Sequence, residues 1–229
     1  MKKVFLLLLT IVTMSAQAQE FKAFPLVTVN GEGKVKVTPD QVTISVSVVS
    51  KGNKAVDVKK ENDTKIDAVI KYIKKMSIAK EDYQTQRVYL NDEYDYEKKK
   101  HNYVATQTLT ILLKDLSKYD ELMEGLVETG INNINNVEFK SSKLEIHKSE
   151  ARKLAVQNAK LKAADFVSGL GQKVGRAFTI NDNSPIDYPQ PRYAAMAMKM
   201  ADSAFGSNET LAVGEIEVTA NVSVSFILE

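Results

Sequence analysis

An α+β fold is predicted by three features of this chain: short runs that alternate apolar and polar residues, longer segments with apolar residues at helical spacing, and the interleaving of the two along 229 residues. From Val27 to Val37 the apolar Val27, Val29, Val35 and Val37 alternate with Thr28, Glu32, Lys34 and Lys36, the signature of a half-buried strand. Thr38-Pro39-Asp40 then turns the chain. The next run places Val42, Ile44, Val46 and Val48 opposite Thr43, Ser45 and Ser47, and the two runs are expected to pair as a hairpin.

From about Asn53 to Met76 the period becomes helical, with Val58, Ile66, Val69, Ile70, Ile73 and Met76 on one stripe. Two strands follow, near Tyr83 to Leu90 and Tyr103 to Leu113, joined by the charged turn NDEYDYEKKKHN. Ser117, with Asp120 three positions on, starts a second helix striped by Leu116, Tyr119, Leu122, Met123, Leu126 and Val127 and closed by Gly130. A short strand at about Asn135 to Phe139 completes a strand-helix-strand-strand-helix-strand order between residues 41 and 140, which is the ferredoxin-like split βαβ arrangement.

A third helix is expected from a Ser142-x-x-Glu145 capping signal, or at latest from Ser149, down to Leu170. Ala151, Ala155, Ala159 and Ala163 recur every four residues, with Leu154, Phe166 and Leu170 beside them, so its buried face is small and allows close approach to a sheet. A strand at Arg176 to Ile180, a loop at about 181–214 and a final strand complete the chain. In that strand Ile216, Val218, Ala220, Val222, Val224, Phe226 and Leu228 alternate with polar residues up to Ser225. The first strand, the long third helix and the C-terminal strands thus form a second α/β layer, giving subdomains at 41–140 and at 24–39 plus 141–229.

The bulk numbers exclude several functions. Residues 1–18 read as a signal peptide, with Lys2 and Lys3 before the apolar run Val4 to Val12 and Ala16-Gln17-Ala18 at the cleavage point, leaving residues 19–229 as the mature chain. No later segment approaches membrane-spanning length. Lys and Arg total 31 against 29 acids, and removing Lys2 and Lys3 leaves a balanced chain, which gives little reason to expect a basic stripe for nucleic acid. With no cysteine there is neither disulfide nor thiol chemistry, and stability rests on packing.

Five segments in this order resemble the SIMPL-domain family, the exported bacterial proteins that include YggE-like proteins and periplasmic immunogens. They are VTVNGEGKVKVTPDQVTISVSV, IAKEDYQTQRVYL, NYVATQTLTILLKDLSKYDELMEGLVETGINNINNVEF, EARKLAVQNAKLKAADFVSGLGQKVG and VGEIEVTANVSVSFIL. The resemblance implies an α+β fold, periplasmic or other extracytoplasmic localisation, self-association into a homo-oligomer, and a link to oxidative-stress tolerance in some members. It implies no catalytic residue and no cofactor. The matching Gly31, Gly33, Pro39, Gly130, Gly169, Gly171 and Gly214 shape the backbone. At Asn91 to Tyr94 this chain lacks the proline that relatives often carry, which bears on the hairpin tip alone.

The chemistry-bearing candidates are few. Gly169-Leu170-Gly171 looks like a phosphate-binding glycine loop, but it follows a helix where a dinucleotide site needs to precede one, so a phosphate would meet carbonyls at the negative end of the dipole. Gly169 and Gly171 are therefore expected to end the helix in the left-handed conformation. His101 and His147 are expected to face solvent, and with no cysteine they are too few for an ordinary zinc site. Asp92, Glu93, Asp95 and Glu97, followed by Lys98-Lys99-Lys100, read as a solvated turn, since the glycine and spacing of a calcium loop are missing. Met196, Met198 and Met200 are candidates for a Cu(I) or oxidant-buffering site, with an adaptable packing or subunit contact as the favoured reading. The function these readings give is a non-enzymatic, self-associating envelope protein; the alternative is methionine-based copper binding or oxidant buffering.

Overall fold

The computed structural model describes residues 24–97, 99–184 and 213–229. It is an α+β fold with two antiparallel sheets, each covered on one face by helix. Residues 1–18, read above as a signal peptide, and the Met196 to Met200 segment lie outside the described residues.

The first sheet takes strands β2 (Gln41–Gly52), β3 (Tyr83–Asp95), β4 (Lys100–Leu113) and β5 (Asn133–Lys140) in the order β3-β4-β2-β5. Helices α1 (Ala55–Lys75) and α2 (Tyr119–Glu128) cover it, so the split arrangement read from the sequence forms. The even residues Val42, Ile44, Val46 and Val48 are fully buried against Val69, Ile73, Leu109, Ile111, Leu122 and Leu126. One member of the α1 stripe is polar. Asn62 lies one turn from both Val58 and Ile66, and its side-chain amide donates to the carbonyls of Val48 (2.9 Å) and Ala105 (3.2 Å). Tyr72 of α1 fits where Gly125 of α2 has no side chain, and its hydroxyl donates to the Glu121 carbonyl at 2.7 Å.

The second sheet orders β1 (Leu26–Val37), β7 (Ile216–Leu228) and β6 (Val174–Asp182) as β1-β7-β6. Helix α3 (Leu144–Ser168) lies on one face, where Ala151, Ala155, Ala159 and Ala163 are all fully buried against Val29, Val218, Ala220, Val222, Val224 and Phe226. This second cluster shares no residue with the first.

Several local expectations are corrected. β1 does not form a hairpin with β2; it pairs with β7 from Leu26↔Ile227 to Val37↔Ile216. A proline at the second turn position favours turns that splay their flanking strands rather than pair them, so Thr38-Pro39-Asp40 carries the chain from one sheet to the other. β3 and β4 run through most of the expected charged turn, which shrinks to residues 96–99. Asn135 is the extra residue of a β-bulge, and its side chain turns back to Ser47 at 2.9 Å, which extends β5 two residues earlier than the alternation suggested. Asp115, not Ser117, caps the 3₁₀ turn that leads into α2, accepting the Ser117 N–H at 3.1 Å. Val127 is exposed on α2.

The expected Ser142-x-x-Glu145 cap does not form, because Ser142 bonds elsewhere. Its N–H and its hydroxyl both donate to the Asp40 carboxylate, and the Asp40 N–H donates to the Lys140 carbonyl at 3.1 Å. The two crossings between sheets, β1 to β2 and β5 to α3, are thereby tied at one point. Burial raises the Asp40 pKa, but the Ser142 hydroxyl, backbone N–H groups and the Lys143 charge outweigh it, holding the carboxyl below its usual range. A carboxyl lowered on folding contributes stability above its unfolded value, about 3.9 for aspartate, and that contribution is lost as pH falls through the folded value. The stability difference between wild type and Asp40→Ala should therefore shrink as pH drops below about 4 in denaturant melts across pH.

Candidate functional site

The closest packing in the second layer lies where α3 crosses β1. A Cβ built on Gly31 would sit 2.0 Å from the Ala155 carbonyl oxygen, and one on Gly33 would sit 2.0 Å from the Ala151 carbonyl oxygen. The alanine row and the Gly31-Glu32-Gly33 stretch are thus the two halves of one contact, backbone against backbone. On the flank of α3 beside this contact, Asn158 accepts the Glu32 N–H through its amide oxygen at 3.1 Å, and the Lys162 ammonium donates to the Asn30 carbonyl at 2.9 Å. Both bonds go to main-chain groups on the side of β1 away from β7.

A hollow of about 280 Å³ opens here, lined by Asn30, Gly31, Glu32, Lys162, Asn183, Asn221 and Val222. Its side-chain chemistry is amide, one carboxylate and one ammonium, which suits hydrogen bonding to a small polar group. Beside it, the Ser184 hydroxyl and N–H bond the Asp182 carboxylate and, with Arg152, hold it below the usual range. These bonds close the end of β6 onto Asn221, whose N–H donates to the Ser184 hydroxyl at 3.1 Å.

Helix termination, not phosphate binding, is the use of the C-terminal glycines of α3. The N–H groups of Leu170 and Gln172 donate to the Val167 carbonyl at 3.0 and 3.1 Å, and that of Gly171 donates to Ser168 at 3.2 Å. Only Gly171 takes the left-handed conformation, at φ +68; Gly169 stays helical at φ −66. The space around Gly171 is open, so Gly171→Ala meets backbone strain alone and should cost roughly 1–2 kcal/mol in a denaturant melt. Leu154, Phe166 and Leu170, expected beside the alanine row, are exposed.

The remaining candidates are dispersed. His101 pairs with Asp92 at 2.7 Å on the β3–β4 hairpin, with the Tyr94 ring 5.0 Å away, and its side chain is open to solvent. Lys51 pairs with Glu93 at 2.6 Å and Asp95 accepts the Glu97 N–H at 3.1 Å, so Asp92, Glu93 and Asp95 are engaged separately rather than converging on a cation. Among the described residues no group of three or more His, Cys, Asp or Glu could hold a metal ion. His147 is not solvent-facing as expected: its side chain is 19% exposed and lies 3.4 Å from Glu150. Met196, Met198 and Met200 are outside the described residues. Asn62, Asn158 and Lys162 escaped the reading of the sequence. Only Asn62 left a signal there, as a polar residue in register with the buried stripe.

Known proteins match this chain over most of its length. The family model of SIMPL, described as a protein of unknown function (DUF541), matches residues 27–226. Uncharacterized protein YggE of Escherichia coli (strain K12) is 28% identical over 220 residues, covering 94% of this chain and 88% of the relative. YggE of Edwardsiella ictaluri is 26% identical over 219 residues, covering 91% and 92%. The 26 kDa periplasmic immunogenic protein of Brucella melitensis biotype 1 is 26% identical over 208 residues, covering 87% and 83%. Among the described residues no helix is long and apolar enough to cross a membrane. The matched region begins at Val27 and ends at Phe226, which face each other in the β1–β7 ladder, and the chain belongs to the SIMPL family.

Proposed function

We propose that this is a non-enzymatic envelope protein, exported through the leader at residues 1–18 and self-associating once mature. The observation that carries self-association is the set of apolar side chains left outside both cores: Val88, Tyr89 and Leu90 on β3, Phe166 on α3 and Leu170 just beyond its end, and Phe178 on β6. Scattered apolar residues are ordinary on a surface, but runs of them on exposed strands mark contact sites. Export is supported by the charge, length and cleavage pattern of the leader and by the periplasmic name of the Brucella relative.

Intact mass of the exported protein should begin at Gln19, and light scattering over a concentration series should give a multiple of the single-chain mass. A single-chain mass throughout would remove the self-association reading. Methionine-based copper binding remains the alternative on the composition of Met196, Met198 and Met200. It requires Cu(I) affinity that a triple Ser variant loses while keeping its assembly state. A link to oxidative-stress tolerance rests on the family resemblance alone, and peroxide survival of a deletion strain tests it.

A further inference from the structure

The two sheets have four outer strands, and these differ in how their free edges are treated. β1 is guarded: Asn158 and Lys162 occupy main-chain groups of Glu32 and Asn30 on its outer side. β5 is short and bulged, with Asn132 and Asn135 folded back onto β2. The pairing of β6 with β7 is irregular at two places between Val174 and Thr179. β3 is different. Its single irregularity, at Gln86, lies before a regular nine-residue run, Arg87 to Asp95, and every residue from Gln84 to Tyr94 is exposed. A long, regular edge with exposed apolar side chains is a template for another strand.

The partner that fits β3 is β3 of a second copy. In an antiparallel pair centred on Tyr89 the regular run meets itself over Arg87 to Asn91: Val88 of each copy stands opposite Leu90 of the other, and the two Tyr89 rings meet on the symmetry axis. Val88 is 62% and Leu90 44% exposed in the single chain. They lie opposite Gln107 and Ala105 of β4, on the face that the helices cover further in, so pairing would continue an apolar surface already begun. Charge agrees with the antiparallel sense. The basic residue Arg87 is at the start of the run and the acids Asp92 and Glu93 are towards its end, so Arg87 of one copy is diagonal to Glu93 of the other, where it would join the Lys51–Glu93 pair as a second cation. A parallel pair would instead set like charges side by side. We infer that the protein self-associates as a two-fold dimer through antiparallel β3–β3 pairing centred on Tyr89, joining the four-stranded sheets of two copies into one.

This inference rests on the self-association reading above and adds the surface and register. Because the chain has no cysteine, a single introduced one reports its own neighbours. Mature Tyr89→Cys should form a disulfide-linked dimer under mild oxidation, since directly opposed residues in a strand pair lie within disulfide reach, whereas Lys36→Cys on the guarded sheet should not. A Val88→Lys, Leu90→Lys double variant should halve the mass read by light scattering. Both positions are exposed, so its circular dichroism and melting should match the wild type at concentrations where the wild type is monomeric. If the wild type assembles but Tyr89→Cys fails to cross-link and the double Lys variant keeps its mass, the β3 interface is wrong while self-association stands. If the wild type is a single chain at every concentration, both fall.

Discussion

Gly31→Ala should destabilise the protein by about 3 kcal/mol or more, at the upper end of what overpacking costs. The added methyl would lie 2.0 Å from the Ala155 carbonyl oxygen and 2.8 Å from both the Ala159 Cβ and its backbone nitrogen. Two of these neighbours are backbone atoms of a 25-residue helix and cannot move aside as a flexible side chain does. The strand and helix must separate, which loosens the contact along the whole alanine row. Approached from the other side, Ala155→Leu or Ala159→Leu should cost about 1–3 kcal/mol for the same reason. Gly31→Ala combined with Ala155→Leu should be less than additive, because once the layers part the second side chain meets less resistance. Urea melts of the single and double variants check this, and a Gly31→Ala midpoint equal to that of wild type would mean that α3 does not rest on β1.

Leu109→Ala should cost about 2–5 kcal/mol, the range for removing a buried leucine side chain and leaving a cavity. Leu109 is fully buried at the centre of the four-stranded sheet, packed in the same cluster as Val46, Val69 and Leu126. Leu161→Ala is the control: Leu161 is 66% exposed on α3, and its truncation should fall within about 0.5 kcal/mol of zero. The two cores share no residue, so Leu109→Ala and Gly31→Ala touch no common neighbour and should add within roughly 0.5 kcal/mol if the chain unfolds as one unit. Two separate transitions in the double variant would instead identify residues 41–140 as an independently folding subdomain.

Periodicity determined a good deal from the sequence alone. The inward residues of β2 and β7, the α1 stripe and the alanine row of α3 were all legible, because which face a side chain takes depends on its neighbours within a few residues. The strand-helix-strand-strand-helix-strand order likewise implied the four-stranded sheet, since few connections satisfy it. What tertiary structure decided was partnership over distance. β1 pairs with β7, about two hundred residues on, and no local pattern distinguishes that from the hairpin with β2 that proximity suggests. Ser142 has the spacing of a helix cap, yet Asp40 claims its donors because the two crossings between sheets meet there. Asn158 and Lys162 read as ordinary polar positions on a helix until folding sets them against the outer side of β1. Which sheet edges are guarded and which lie open is therefore absent from any stretch of sequence. It follows from which strands end up outermost, and from what the rest of the chain can bring to cover them.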